Sequence, residues 1–150
     1  MNLISARRDT VIQSYNAAKA ENHLRYLEGD VKATVEYVFE NQINDAHFIV
    51  NEFHKKNRRV VSVTKKTKVG MDGLMIELAK VMATHPDDAF VVNPDNVRIL
   101  TGMSNANWEK NLKDKSPSCF KNKIFHHGQL KKADLKSLKW NGKEHVIVYK

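Results

Sequence analysis

The middle of the chain reads Arg59-Val-Val-Ser-Val-Thr64, then Lys65-Lys-Thr-Lys-Val-Gly-Met-Asp-Gly73, then Leu74-Met-Ile-Glu-Leu-Ala-Lys-Val-Met82. The first segment is short and rich in β-branched residues, which predicts a strand. The second is polar and contains two glycines, which predicts a loop. The third is long and apolar and predicts a buried helix. A strand, a loop and a helix in this order are the repeating unit of an α/β fold with a parallel sheet.

The rest of the chain divides into a helical first part and a mixed second part. Amphipathic spacing predicts helices over about 3–22 and 31–56, with Gly29-Asp30 as a break and helix cap between them. Later segments predict strands at 89–92, 97–101, 123–127 and 145–149, and helices from Ser104 to Lys113 and over 133–138. The sequence therefore predicts one domain over 1–150, with a helical N-terminal region (1–56) and a strand–helix core (57–150). The expected architecture has three layers, with helices covering a mostly parallel sheet.

The chain is strongly basic, with a net charge of +8 and a pI near 9.6 over 150 residues. A surplus of cations attracts polyanions, so a nucleic acid is the expected partner. The stretch from Lys110 to Lys139 is rich in lysine. The acidic residues within it are Asp114 and Asp134. The alternative is that these lysines only form a solvated face that keeps the protein soluble.

Cysteine content and hydropathy indicate the compartment. Cys119 is the single cysteine, so an internal disulfide is excluded and a reducing compartment is favoured. The first residues hold no apolar stretch of signal-peptide length, and the apolar run Val146–Tyr149 is far too short to span a membrane. We therefore expect a cytoplasmic protein, or one in the cytoplasm of a phage- or virus-infected host, with no membrane partner.

The loop before the helix at 74–82 has features of a phosphate site. Free backbone N–H groups at a helix N-terminus and the helix dipole attract anions, and Gly70 and Gly73 permit close approach to the backbone. A Walker A loop would require lysine and a hydroxyl residue where this chain has Met71 and Asp72. From spacing alone, the alternative is a basic turn with two glycines.

The order of the segments adds a family resemblance. The basic glycine loop and its helix are followed by Arg98-Ile-Leu-Thr-Gly-Met-Ser104, by Ile124-Phe-His-His-Gly-Gln-Leu130 and by a closing apolar strand. This order, over roughly 35–150, resembles the first half of the motor domain of superfamily-two helicases, particularly DEAD/DEAH-like helicases of phages and large DNA viruses. The resemblance implies a RecA-like fold. It also implies an ATP site at Gln42, which would read adenine, and at Lys68, Gly70, Met71, Asp72 and Gly73.

Two departures from that family bear on activity. Met71 cannot neutralise phosphate charge as a lysine would, and the sequence stops at Lys150, where the acidic Mg²⁺-binding pair of that family should begin. We therefore expect weak ATP binding at most, with Mg²⁺ binding left open, and no ATP hydrolysis. No catalytic residue is assigned, and the chain is expected to be an inactive relative or a fragment.

The same resemblance, together with charge, predicts a nucleic-acid surface for DNA or RNA. Its predicted residues are Lys65, Lys66, Arg98, Thr101, Gly102, Ser104 and Trp140, of which Trp140 would stack on a base. The alternative is a non-enzymatic basic phage or viral module that binds nucleic acid or a host protein. A small nuclease or toxin using His126 or His127 is disfavoured, because no carboxylate stands beside them and neighbouring strand residues point to opposite faces. For the same reasons no metal site is predicted.

Overall fold

The computed structural model describes residues 2–55, 61–63, 70–101, 106–126 and 145–149. The helices within them are α1 (Leu3–Leu27), α2 (Glu40–Lys55), α3 (Met71–Ala83) and α4 (Ala106–Lys115). The strands are β1 (Val97–Thr101), β2 (Ile124–His126) and β3 (His145–Tyr149), and they form a parallel sheet in the order β2-β1-β3. Short 3-10 turns, Pro94–Asn96 and Ser118–Lys123, precede β1 and β2.

Helix α1 is longer than predicted and is closed at both ends. The Asn2 side chain accepts a hydrogen bond from the Ser5 N–H at 2.8 Å, which caps the first turn. At the other end Gly29 has φ +84°, and the Asp30 N–H donates to the Arg25 carbonyl at 3.0 Å. A glycine in the left-handed region just past the last turn ends a helix in this way.

The second helix begins at Glu40, nine residues later than the predicted start at 31. The Asn22 side chain holds the intervening chain against α1, donating to the Thr34 carbonyl at 2.8 Å and accepting from the Thr34 N–H at 3.2 Å. Tyr37 and Val38 are buried just beyond this point. The predicted helix over 31–39 is therefore wrong, because the Asn22 bonds and the burial of Tyr37 and Val38 fix this segment in a non-helical path.

Helix α3 is the centre of the molecule, as the apolar run at 74–82 predicts. Nearly every residue from Gly73 to Ala83 is buried, and a helix that is apolar on all sides belongs in a core. Helices α1 and α2 both pack against it. The start of α2 lies beside the start of α3, where Gln42 bonds Gly70, and the end of α2 lies beside His85, just past the end of α3. The two helices therefore run parallel.

The small sheet confirms part of the predicted topology. Ile99 of the central strand β1 is opposite Ile124 of β2 and Ile147 of β3, both in parallel register. The strands predicted at 97–101 and 145–149 have the predicted bounds. The predicted helix from Ser104 to Lys113 is α4, shifted to Ala106–Lys115, while Ser104 and the predicted helix over 133–138 lie outside the described residues.

The predicted three-layer RecA-like sheet is wrong. The described chain is mostly helical, and the strands in it are three to five residues long. Residues 61–63, predicted as part of a central strand, are irregular, and Ser62 and Val63 are exposed. A central strand of a parallel sheet is covered on both faces, which these exposed side chains exclude. Arg59, Val60 and Thr64 lie outside the described residues.

The predicted strand at 89–92 is also wrong. Its first residues form a turn in which the Phe90 and Val91 N–H groups donate to the Asp87 carbonyl at 3.0 and 3.1 Å. The Asp87 side chain accepts from the Ala89 N–H at 2.9 Å, a common use of aspartate in turns. This local bonding takes the place of strand pairing. Among the described helices none is both long and apolar enough to cross a membrane.

Candidate functional site

Five of the six residues predicted to bind a nucleotide surround one cavity. The cavity has a volume of about 470 Å³ and lies between the second half of α1, the start of α3 and the end of α4. The five residues are Gln42, Gly70, Met71, Asp72 and Gly73. The sixth, Lys68, lies outside the described residues.

The Gln42 amide joins the starts of α2 and α3. Its Oε1 accepts a hydrogen bond from the Phe39 N–H at 2.9 Å. A glutamine at the third position of a helix commonly bonds the N–H of the N-cap residue in this way. Its Nε2 donates to the Gly70 carbonyl at 2.6 Å. The side chain is only 6% exposed. Reading adenine would require this donor and acceptor, and both already have backbone partners.

Gly70 and Gly73 make room for that amide. Gly70 has φ +77°, and a Cβ there would lie 2.7 Å from the Gln42 Nε2. A Cβ at Gly73 would overlap the Gln42 Oε1 and lie 2.7 Å from its Cδ. The structure thus gives both glycines a packing role, while contact with phosphate stays a prediction.

Opposite charges are mixed around the cavity. Its lining includes three cationic and three anionic side chains: Arg25, Lys32, Lys115, Glu21, Asp72 and Asp114. Arg25 is 2.9 Å from Asp30, whose pKa is lowered by the bond from the Lys32 N–H and by Arg25. Burial lowers the pKa of Lys115, and the Asp72 carboxylate partly offsets this effect. A phosphate here would meet carboxylates as well as cations, so the cavity is not a dedicated anion site.

The predicted nucleic-acid residues are only partly described. Arg98 is the second residue of β1, and its Nη1 donates to the Asp95 and Val97 carbonyls at 2.5 and 2.9 Å. Thr101 ends the strand, about 10 Å further along at the usual rise per residue. Arg98 therefore lies towards the opposite end of β1 from Thr101. The remaining five, Lys65, Lys66, Gly102, Ser104 and Trp140, lie outside the described residues.

A buried carboxylate lies between α1 and α3. Glu77 is 1% exposed and accepts a hydrogen bond from the Tyr15 hydroxyl at 2.8 Å. Lys80 lies 3.5 Å from the same carboxylate and 4.3 Å from the centre of the Tyr15 ring. Burial, followed by the Glu77 charge, raises the pKa of Tyr15, so the phenol stays protonated as a donor. The group is satisfied internally and fixes how α1 packs on α3.

The histidine pair considered for catalysis is only partly described. His126 ends β2, and His127 lies outside the described residues. The described chain contains no cluster of three or more His, Cys, Asp or Glu that could hold a metal. Burial raises the pKa of the Cys119 thiol, which makes it a weaker nucleophile at neutral pH.

Sequence reasoning missed a ring cluster at the end of α2. His54 stacks on Phe90 with ring centres 4.6 Å apart, and His85 meets both rings edge-on at 5.2 and 5.6 Å. One signal was present, because His54 follows the buried Val50 by four residues and so shares its helix face. The spacing of His54 from Val50 does not predict the contact between His54 and His85.

Comparison with known proteins does not assign the chain to a family. No protein-family model, no curated protein and no solved structure matches it. The helicase resemblance remains a prediction from the sequence, and the RecA-like sheet that it implied is not what the chain forms.

Proposed function

We propose that this protein binds nucleic acid through the phosphate backbone, using two basic segments of the chain. The first segment spans 55–69 and contains seven Lys and Arg residues and no Asp or Glu. The second spans 127–144 and contains Lys131, Lys132, Lys136, Lys139 and Lys143. The observation that carries the proposal is this segregation of positive charge.

The described helical part of the chain, called the helical body below, has a different balance of charge from the two basic segments, and this supports the proposal. In the described residues Asp and Glu outnumber Lys and Arg, although the whole chain has a charge of +8. Five cations of the body also have local counter-charges. Ion pairs join Arg8 to Asp88, Arg25 to Asp30, Lys80 to Glu77, Lys113 to Glu109 and Lys123 to Asp95. A phosphate chain is therefore attracted chiefly by the two basic segments.

The proposal does not include catalysis or a nucleotide cofactor. The Gln42 amide is engaged by Phe39 and Gly70, and carboxylates share the cavity beside it. It also places the protein in the cytoplasm, where nucleic acid is accessible and where a chain with one cysteine is kept reduced.

Salt-dependent binding tests the proposal. A labelled single strand of DNA, and one of RNA, is titrated with the protein at several salt concentrations. Each phosphate contact on a single strand contributes about 0.7 to the slope of log affinity against log salt, so changing Lys65, Lys66 and Lys68 to Gln should lower the slope by about 2. The loss should be similar for all strand sequences, because phosphates carry no base identity.

A second triple variant provides the matched control. Lys19, Lys110 and Lys121 are exposed cations of the helical body, and changing them to Gln removes the same charge. This variant should retain most of the slope. Equal losses in the two variants would mean that only net charge matters and would contradict the proposal. Absence of binding at low salt would overturn it and favour a protein partner.

A further inference from the structure

Four aromatic rings join the end of α2 to the turn that follows α3. His54 is stacked on Phe90 with ring planes 21° apart, and Phe53 meets His54 edge-on at 5.3 Å. His85 lies edge-on to His54 at 5.2 Å. Two titratable imidazoles therefore stand in one cluster, and neither belongs to the basic segments or the cavity.

The turn is held by bonds to the His85 ring and to the His85 carbonyl. Its Nδ1 accepts a hydrogen bond from the Asp87 N–H at 3.0 Å, so that nitrogen carries no proton. Its carbonyl accepts two bonds from the Arg8 guanidinium, at 2.9 and 2.6 Å, and Arg8 also pairs with Asp88 at 2.7 Å. A proton on Nδ1 would replace the acceptor with a donor facing the Asp87 N–H.

Charges of both signs lie around the cluster. Arg8 reaches it from α1, and Asp87 and Asp88 reach it from the turn, while Glu52 and Lys55 are the neighbouring charges on α2. Burial, followed by the proximity of His85, lowers the pKa of His54, and Asp87 opposes this only in part. The lowered pKa means that the folded state prefers neutral His54. The resulting stability is present above the ordinary pKa of 6.5 and is lost as the pH falls through the folded value.

We propose that His54, His85 and Phe90 form an acid-sensitive latch, which holds residues 85–91 against α1 and α2 and releases them when an imidazole gains a proton. Release requires no global unfolding, because the turn is held at its edges by Arg8 and the ring stack, whereas α3 is buried independently. The latch does not depend on nucleic-acid binding, so the two proposals stand or fall separately.

Hydrogen exchange tests the latch. The reporters are the Phe90 and Val91 amides, which donate to the Asp87 carbonyl, and the reference is the Ala79 amide in the middle of α3. Between pH 7.5 and 5.5 the protection factors of the two turn amides, corrected for intrinsic exchange, should fall severalfold, because a group that prefers to be neutral in the folded state favours opening as the pH falls. Protection of Ala79 should not change. Equal loss at Ala79 would indicate general unfolding and overturn the proposal.

A double variant removes the titrating groups and keeps the contacts. In His54→Phe the ring remains, and in His85→Asn a side-chain oxygen can still accept from the Asp87 N–H, as in an Asx turn. The double variant should keep its turn protected at pH 5.5. His47→Gln, at an exposed position of α2, should behave like the unchanged protein. Acid opening that persists in the double variant would contradict the latch.

If the double variant does not fold, NMR titration of the histidines in the unchanged protein decides the question. The midpoint of the His54 or the His85 ring signal should coincide with the loss of turn protection. Opening at a pH where neither ring titrates would overturn the proposal.

Discussion

The buried Gln42 amide accounts for the glycine at position 73, and that glycine leaves the amide its space. A glycine at the third position of a helix normally weakens it, yet here the missing side chain leaves space for the buried Gln42 amide. The amide in turn bonds the backbone at the starts of two helices. Residues that the sequence grouped as a nucleotide site are thus in contact with one another.

This contact predicts that the effect of Gly73→Ala on the free energy of unfolding changes sign when Gln42 is replaced. Gly73→Ala should destabilise the protein by about 1–3 kcal/mol, the usual cost of overpacking, because the new Cβ meets the Gln42 amide. In a Gln42→Ala background the same change should stabilise by up to about 1 kcal/mol, as alanine normally does in a helix. Urea unfolding of the four proteins measures both effects. The same sign in both backgrounds would show that Gln42 does not determine the requirement for glycine.

At the scale of elements, the local sequence pattern predicted the segments in which an apolar run stands between turn residues. Helix α3 and strands β1 and β3 were predictable because their apolar runs are bounded by turn residues. The direct pairing of Ile99 with Ile147 was not predicted. The run at 60–63 has equal β propensity, but propensity describes fit to a half-buried surface and does not establish burial. The segment 31–39 could not be predicted because Asn22, 12 residues away, holds Thr34.

The residues of the candidate site were also partly predictable from the sequence. The resemblance grouped Gln42 with the glycines, and the structure does bring them together around one cavity. It could not reveal that they contact each other, because a side-chain hydrogen bond across 28 residues leaves no periodic signal. The cluster of His54 and His85 was missed for the same reason.

Two truncations distinguish the observed elements from the predicted ones. Ile99 is fully buried in β1, whereas Val63, predicted for a central strand, is 44% exposed. Ile99→Ala should therefore cost about 2–5 kcal/mol, the range for a buried aliphatic truncated to alanine. Val63→Ala should stay within about 0.5 kcal/mol, as surface changes do. Denaturant unfolding of both variants measures these changes in stability. A large loss of stability in Val63→Ala would indicate that Val63 is buried, as the predicted central strand requires.

At the scale of the whole molecule, a nearly neutral helical body carries two strongly basic segments. The proposed attraction of phosphates to such segments requires no shaped groove. Base stacking would add affinity of a different physical kind, because it varies little with salt.

Trp140, in the second basic segment, tests that difference. Trp140→Ala should weaken single-strand binding by about 1–3 kcal/mol and leave the salt slope unchanged, since stacking involves no counterion release. Tyr26→Ala, which removes an exposed ring at the end of α1, is the control and should change neither quantity. Fluorescence titration at three salt concentrations measures both. A reduced slope in Trp140→Ala would mean that the ring acts only by placing nearby lysines.

The packing of α1 has a consequence for synthesis on the ribosome. Its contacts reach Glu77, His85 and Ser118, which lie 62, 77 and 104 residues beyond their partners in α1. At about 5–20 residues per second, translation supplies the last of these contacts roughly 5–20 s after the helix has emerged. During that interval the helix, whose Val11 and Tyr15 are buried in the finished protein, lacks part of its packing. Helix α1, which is translated before the other described elements, therefore completes its packing late.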